Sequence, residues 1–295
     1  MKASQALYGG SIPLARFDNI MKKTKINPFD LLQKVRADKP VVHHLTNWVT
    51  IYDCANIVKV IGGSPVMAHA KEEVAQMAGV ASSLVLNIGT LTTEFIEAAK
   101  IAAQSANKKG IPVILDVCGA GATQLRDQKS FELLDQTKIN IIKGNVSEIA
   151  RINGENISTK GVDATEVKKN MLHITCDLAQ KRQATVVATG KEDIVTDGKK
   201  TYLIKNGHPM MAHIVGTGCM ATSVIATFAA VESDLALACA CALVCFEIAA
   251  ELAAKSSKGP GTFKEKIYDC IYRLDRATIQ KMQKVELGNF SDIDN

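Results

Sequence analysis

"SLVLNIGTLTTEFIEAAKIAAQSANKKGIPVILDVCGAGAT", residues 83–123, holds a strand, a helix and a second strand in succession. "SLVLNIG" and "PVILDV" are short apolar, β-branched runs that close on polar residues, Asn87 with Gly89 in the first and Asp116 in the second. Between them, Thr92–Lys109 carries apolar residues at helical spacing. Two strands joined through a helix run parallel, because that connection has to cross the sheet.

The same alternation extends outward. "PVVHHLT" and "SPVMA" come before this unit and "INIIKGN" and "TVVATG" after it, with amphipathic stretches at Lys71–Gly79 and Ala164–Arg182. The pattern predicts an α/β protein with a mainly parallel central sheet and helices on both faces. After Thr189, "DIVTDGKKTYLIKNG" predicts a hairpin turning at "DGKK", and "HPMMAHIVG" a further extended piece. From Thr217 the chain reads as almost wholly helical, with good helix formers from Met220 onward and one break at "KGPGTF". Residues 1–27 show neither period and read as an N-terminal extension; residues 28–295 contain no linker and read as one domain.

A chain of 295 residues, 47% hydrophobic and 22% charged, can bury a sizeable core. Its net charge of +5 is spread without a dense basic stripe, so small anionic molecules are the expected partners and nucleic acid is not. The apolar run Leu235–Phe246 is too short to cross a bilayer and is ended by Glu247, so no membrane association is expected. Without a signal-peptide pattern, a cytoplasmic location follows. Eight cysteines show no regular framework, and Cys239, Cys241 and Cys245 in "LALACACALVC" read as small buried apolar residues in a reducing compartment.

In open parallel sheets ligands bind beyond the carboxyl ends of the strands. The residues there are Thr46 and Asn47, Met67, Asn87 with Gly89, Asp116 with Gly119 and Gly121, Asn145 with Glu148, and Thr189 with Gly190. Carboxylates, amides and glycine turns on one rim suit a phosphorylated ligand with a divalent metal. "IVGTGCMATS", Ile214–Ser223, adds a chain reversal at Gly216 and Gly218 ahead of a helix, whose unpartnered N–H groups suit an anion that Cys219 would face.

Two segments keep two readings each. "DVCGAGAT" lacks the third glycine of a dinucleotide fingerprint and the lysine of a P-loop; it is a tight turn, or it presents Asp116 to magnesium beside phosphates. In "KGNVSEIA", Asn145 and Glu148 share a helix face and either position metal-bound waters or form a capping box, while Lys143 pairs with phosphate.

Taken together, "LTNWV", "GGSPVMAHAKEEV", "LVLNIGTL", "PVILDVCGAGAT", "KGNVSEIA", "KGVDAT", "VVATGKED", "NGH", "GTGCM" and "GPGTF" resemble, in order and spacing, the hydroxyethylthiazole kinase family of thiamin salvage over about residues 28 to 285. The resemblance implies a ribokinase-like fold, a homotrimer, and ATP- and Mg²⁺-dependent phosphorylation of the hydroxyl of 4-methyl-5-(2-hydroxyethyl)thiazole. It carries Asn47, Met67 and Gly216 to the thiazole alcohol, Lys143, Thr189 and Gly190 to the nucleotide, and Asp116, Asn145 and Glu148 to the metal. Gly216, Thr217, Gly218 and Cys219 form the catalytic turn. Cys219 stands where the wider superfamily has an aspartate base, and is either a weak base or a neighbour that fills space. Phosphoryl transfer through a loose transition state assigns most of the catalysis to amides and charge.

Three departures from the family pattern stand out. Val117 and Cys118 replace proline and valine, Lys143 replaces arginine, and Trp48, Tyr52, Asp53 and Cys54 fall in or near variable positions. Trp48 and Tyr52 either pack together on a helix or line the pocket. In the second case the acceptor is another small hydroxymethyl heterocycle such as hydroxymethylpyrimidine. A non-catalytic thiazole sensor is the alternative from a different class, opposed by the retained Asp116, Asn145, Glu148 and "GTGC". Of the histidines, only His208, in the "NGH" block, is expected near the active turn.

Overall fold

Ten strands join one sheet in the order β1-β10-β9-β8-β7-β6-β5-β4-β2-β3 in this computed structural model, which describes residues 21–155 and 164–289. The strands are β1 (Lys22–Thr24), β2 (Val41–Leu45), β3 (Ser64–Val66), β4 (Ser83–Asn87), β5 (Val113–Asp116), β6 (Ile141–Asn145), β7 (Thr185–Thr189), β8 (Asp193–Thr196), β9 (Lys200–Ile204) and β10 (Val285–Asn289). Strands β3, β2, β4, β5, β6 and β7 are parallel neighbours, and the remaining four pair antiparallel.

Helix α1 (Pro28–Asp38) leads into β2, and helices connect the parallel strands: α2 (Ile51–Ile61), α3 (Val74–Val80), α4 (Thr93–Lys109), α5 (Gln124–Gln136), α6 (Val146–Ile152) and α7 (Ala164–Arg182). Four more follow the hairpin: α8 (Thr217–Ala229), α9 (Leu235–Ser256), α10 (Pro260–Tyr272) and α11 (Arg276–Met282). Successive strand residues point to opposite faces. Val85, Ile114, Ile141 and Val187 therefore enter one core with α1, α2 and α8–α11, whereas Leu84, Leu86, Val113, Leu115 and Ile142 enter a second with α3–α7. Burial on both faces explains why these strands read as continuous apolar runs.

The crossover helix α4 shows how local sequence sets an element. Thr92 caps it by accepting from the Phe95 N–H at 3.1 Å, and Gly110 ends it at φ +81°. Ala98, Ala99, Ala102, Ala103 and Ala106 form its buried face, small enough for close approach to the sheet. Helix α9 is long and apolar enough to cross a membrane, with mean hydropathy 2.1, but 78% of that window is buried inside the protein, so it is a core helix.

Three expectations change. "HPMMAHIVG" is not extended: Pro209–His213 form a 3₁₀ turn, started by the proline's fixed φ. The C-terminal part is not wholly helical, because β10 pairs with β9. Lys22–Thr24, read as part of an extension, pair with β10 as the sheet's edge. β1 has three residues and β10 five, too few for alternation to announce them. Residues 1–20 and most of "KGVDAT", residues 160–163, lie outside the described residues.

Candidate active site

Parallel strands deliver their carboxyl ends to one rim, and the register sets the polar residues side by side. Asn87 of β4 faces Asp116 of β5, Asp116 faces Lys143 of β6, and Asn145 faces Thr189 of β7. The first turn of α8 lies over this row.

That turn depends on Gly216, at φ +98°, the left-handed region. A Cβ there would lie 2.6 Å from Thr50 Cγ2, so the close approach also requires glycine. No side chain caps the helix, and the N–H groups of Thr217, Gly218 and Cys219 start it uncapped. A Cβ on Gly218 would lie 3.2 Å from Lys143 Nζ, which places the ammonium against the turn.

Cys219 Sγ receives two amide donors: Asn47 Nδ2 at 3.3 Å and Asn87 Nδ2 at 3.4 Å. Asn47 Nδ2 also donates to Asn87 Oδ1 at 3.0 Å, and Asn47 Oδ1 accepts from the Thr50 N–H at 3.0 Å. Both asparagines are buried. The influence of Cys118, helped by Thr50 and Lys143 against burial and Asp116, holds Cys219 below the ordinary thiol range while Cys118 is pushed up.

On the other side, Lys143 Nζ lies 3.3 Å from Asp116 Oδ2, with both side chains nearly inaccessible. Burial opposes the lysine's charge, but Asp116, Cys219 and Glu148 outweigh it and raise its titration. Thr222, one helical turn beyond Cys219, donates to the same Asp116 Oδ2 at 2.6 Å. Among the described residues no hydrogen bond reaches Asp116 Oδ1.

Asn145 and Glu148 form the capping box. Asn145 Oδ1 accepts from the Glu148 N–H at 2.9 Å, and Glu148 Oε2 accepts from the Asn145 N–H at 2.7 Å. Glu148 Oε1 accepts from the Gly119 N–H at 2.7 Å, so this carboxylate also pins the turn after β5; burial raises its titration. Thr189 Oγ1 donates to the Gly144 carbonyl at 3.3 Å, and the Gly190 N–H donates to Asp193 at 2.9 Å. Among the described residues no three His, Cys, Asp or Glu side chains make a metal cage.

The row thus brings together Asn47, Gly216, Thr217, Gly218, Cys219, Lys143, Asp116, Asn145 and Glu148, with Thr189 and Gly190 one strand along. Met67 follows β3, and its carbonyl lies 3.1 Å from His69 Nδ1. Trp48 does not pair with Tyr52. It precedes α2, so four positions do not span a helical turn, and its ring lies 4.9 Å from that of His69. Asp53 is buried behind the Gly216 turn, held by Lys264 at 2.8 Å and the Tyr268 hydroxyl at 2.9 Å. His208 caps the 3₁₀ turn, accepting from the Met210 N–H at 3.2 Å.

Four further participants had been assigned no individual task from the sequence. Asn87 was legible as a strand-end amide, Thr222 by its helical spacing from Cys219, and Cys118 as a departure from the family pattern. Arg126 had no signal. Its guanidinium donates to the carbonyls of Ile88 at 2.9 Å, Gly89 at 2.8 Å and Cys118 at 3.0 Å, and so clamps the loops after β4 and β5 together.

Residues 32–277 match the Hydroxyethylthiazole kinase family. The hydroxyethylthiazole kinase of Methanosarcina mazei is 51% identical over 255 residues, which is 86% of this chain and 98% of that protein. The structure of a hydroxyethylthiazole kinase protein from Pyrococcus horikoshii OT3 superposes with a TM-score of 0.81 at 37% identity, covering 88% of this chain and 98% of that one. A ribokinase-like superfamily protein from Enterococcus faecalis V583 shares the fold at a TM-score of 0.59 and 12% identity, over 88% of this chain and 94% of its own.

Proposed function

The chain belongs to the hydroxyethylthiazole kinase family and is a kinase of hydroxyethylthiazole; from that premise we propose that ATP with Mg²⁺ is its phosphoryl donor and that the rim around Gly216–Cys219 is where transfer occurs. The observation that carries this reading is the placement of Cys219 in the first turn of α8, between the Asn47 and Asn87 amides and the buried Lys143–Asp116 pair.

On the acceptor side, Asn47, Met67 and Gly216 bound the space for the thiazole alcohol, and Cys219 receives the hydroxyl proton at Sγ. Two amide donors and the Cys118 thiol stabilise the thiolate that would accept it. In a loose transition state the attacking oxygen needs little activation, so Cys219 assists rather than drives the step. The N–H groups of Thr217, Gly218 and Cys219 point the positive end of α8 at the transferring group.

On the nucleotide side, Lys143 uses one of its three donors on Asp116 and offers the others to phosphate, with Thr189 and Gly190 flanking the nucleotide. The donors fit Mg²⁺: they are hard oxygens, Asp116 Oδ1 is unused among the described residues, and magnesium is usually held by one or two carboxylates together with phosphates and water. Asp116 would hold the ion, with Asn145 and Glu148 orienting its waters. When bound it neutralises charge on the phosphates.

Trp48, Val49, Tyr52 and Val215 are large exposed apolar residues at the acceptor end. Their exposure supports a homotrimer in which a neighbouring subunit covers the acceptor. A cytoplasmic site of action accords with a substrate that must meet ATP.

The test is product formation from Mg²⁺-ATP with the thiazole alcohol or with hydroxymethylpyrimidine, followed by phosphorus NMR. Magnesium-dependent phosphorylation of the thiazole alcohol is expected. Preference for the pyrimidine reassigns the acceptor, and saturable binding without product means a sensor.

A further inference from the structure

The pairing of β4 with β5 ends at the active rim. Asn87 faces Asp116 in the last register pair, and the Ile88 N–H still donates to the Asp116 carbonyl at 3.4 Å. The carbonyls of Ile88, Gly89 and Cys118 lie past that rung, where donors from outside the sheet have to satisfy them. All three accept from one side chain. Arg126, in the first turn of α5, donates from Nη1 to Ile88 at 2.9 Å and to Cys118 at 3.0 Å, and from Nη2 to Gly89 at 2.8 Å.

This side chain has a prepared place. The Arg126 N–H donates to the Thr123 hydroxyl at 3.3 Å and its carbonyl accepts from Ser130 Oγ at 2.8 Å, so its backbone is fixed. A Cβ on Gly119 would lie 3.0 Å from Nη1 and 3.1 Å from Cζ, so the guanidinium occupies room that only glycine leaves. Among the described residues no carboxylate forms an ion pair with it. Removing Arg126 therefore strands no buried counter-charge, unlike removal of a member of the Lys143–Asp116 pair. Each loop that it holds orients one side of the groove. The Gly89 N–H donates to Asn87 Oδ1 at 2.9 Å, which leaves Asn87 Nδ2 turned to Cys219 Sγ at 3.4 Å. The Gly119 N–H, next to Cys118, donates to Glu148 Oε1 at 2.7 Å, and Asp116 stands two residues before Cys118.

We propose, on the reading that transfer occurs at this rim, that Arg126 is a positioning residue that sets the acceptor side against the phosphate side. Turnover depends on it, and binding of either substrate does not. In-line transfer needs the acceptor oxygen and the phosphorus about 3–3.5 Å apart. Asn47, Asn87 and Cys219 place the first and Lys143 with Asp116 the second, each group through bonds of its own. Strand pairing fixes their separation as far as Asn87 and Asp116, and the guanidinium fixes it beyond. Three carbonyls on two loops call for a planar fork. A lysine ammonium keeps the charge but has one nitrogen, with no second to divide between the loops.

The experiment measures kcat and both KM values in the full chain carrying Arg126→Ala, with Asp116→Asn and Cys219→Ala alongside. Arg126→Ala should lower kcat by about a hundredfold, the cost of a displacement of about 1 Å, and leave KM for ATP and for the thiazole alcohol nearly unchanged. Free guanidinium, well below denaturing concentration, should restore turnover to Arg126→Ala with saturation, and sodium or ammonium chloride should not. Arg126→Lys should recover little. Hydrogen exchange should rise together in peptides covering residues 88–92 and 117–122 and stay level in α8 and α9. If Arg126→Ala does not fold, Arg126→Lys carries the same kinetic and exchange measurements. Full turnover despite raised exchange overturns the proposal. So does a fall in kcat matched by a rise in both KM values and not rescued by guanidinium, which is what a merely structural residue would give. Loss in Asp116→Asn and Cys219→Ala with none in Arg126→Ala overturns this inference alone, whereas full turnover in all three variants overturns the rim as the place of transfer.

Discussion

Asn47, Asn87 and Cys219, on the acceptor side of the groove, are tied to one another by side-chain hydrogen bonds of 3.0 to 3.4 Å, and only the sulfur can carry charge. Across from them, Lys143 and Asp116 are a full ion pair at 3.3 Å, 4% and 2% exposed. The two sides therefore respond differently to loss of a member. A neutral network that loses one donor relaxes onto the others, at about 1 kcal/mol per hydrogen bond. A buried ion pair that loses one charge leaves the other without a partner where water cannot reach it. The acceptor side orients, and the phosphate side supplies the field.

The sharpest way to break that comparison is Asp116→Asn. It leaves the Lys143 ammonium without its counter-charge, so stability should fall by about 3–5 kcal/mol, and turnover by at least about tenfold with a higher magnesium requirement. Denaturant melts and magnesium titrations read the two separately. Adding Lys143→Met should recover most of the stability and none of the turnover. Recovery of both would mean that the pair is structural only.

On the acceptor side, Cys219→Ala should keep measurable turnover, down by about ten- to a thousandfold, with KM for ATP nearly unchanged because the backbone amides remain. Cys219→Asp should hold or raise turnover, since a carboxylate is ionised at neutral pH. A folded but inactive Cys219→Asp would show that this position needs the thiol itself. Between the two sides stands Gly216. Gly216→Ala meets Thr50 Cγ2 at 2.6 Å with φ at +98°, and should cost about 1–3 kcal/mol of stability. Thr50→Ser, which deletes that methyl, should return only the steric share.

The phosphate side was largely legible in the sequence and the acceptor side less so, for a physical reason. Strand ends in a parallel sheet fall on one rim whatever the loops do, so Asp116, Asn145 and Thr189 were placed by alternation alone, and the register then set them beside one another and Lys143. Asn47 was likewise on the rim and Cys219 in the glycine turn, but the family resemblance supplied their tasks. The Arg126 clamp arises only when the turns after β4 and β5 meet, and no local pattern encodes that meeting. Glu148 carried two readings, and the capping box is present because Asn145 and Glu148 stand at the N-cap and N3 positions. The edge pairing of Lys22–Thr24 with Val285–Asn289 escaped the sequence because two short segments near opposite ends of the chain become strands only on contact.

The smallest expected effect lies beneath the acceptor side, at His44. Its ring is fully buried, with Nδ1 3.1 Å from the Val42 carbonyl and Nε2 3.1 Å from Ser223 Oγ, on the helix that presents Cys219. Burial lowers its pKa from 6.5 to about 3, the Val42 carbonyl only partly opposing that shift. The folded state therefore keeps His44 neutral at pH values where the unfolded chain has already bound the proton. Its share of stability is complete above pH 6.5 and is lost as pH falls through that value towards about 3, with a limiting slope of about 1.4 kcal/mol per pH unit. At pH 6 the loss should be about 0.8 kcal/mol relative to pH 8. His44→Gln, which does not titrate, should lack this component, so the difference in stability between parent and variant should change with pH by that amount. Other buried groups titrate in the same range and cancel in the difference. Parallel curves for the two proteins between pH 8 and pH 5.5 would mean that His44 takes up its proton in the folded state, and that the acceptor side carries a second charge under Cys219.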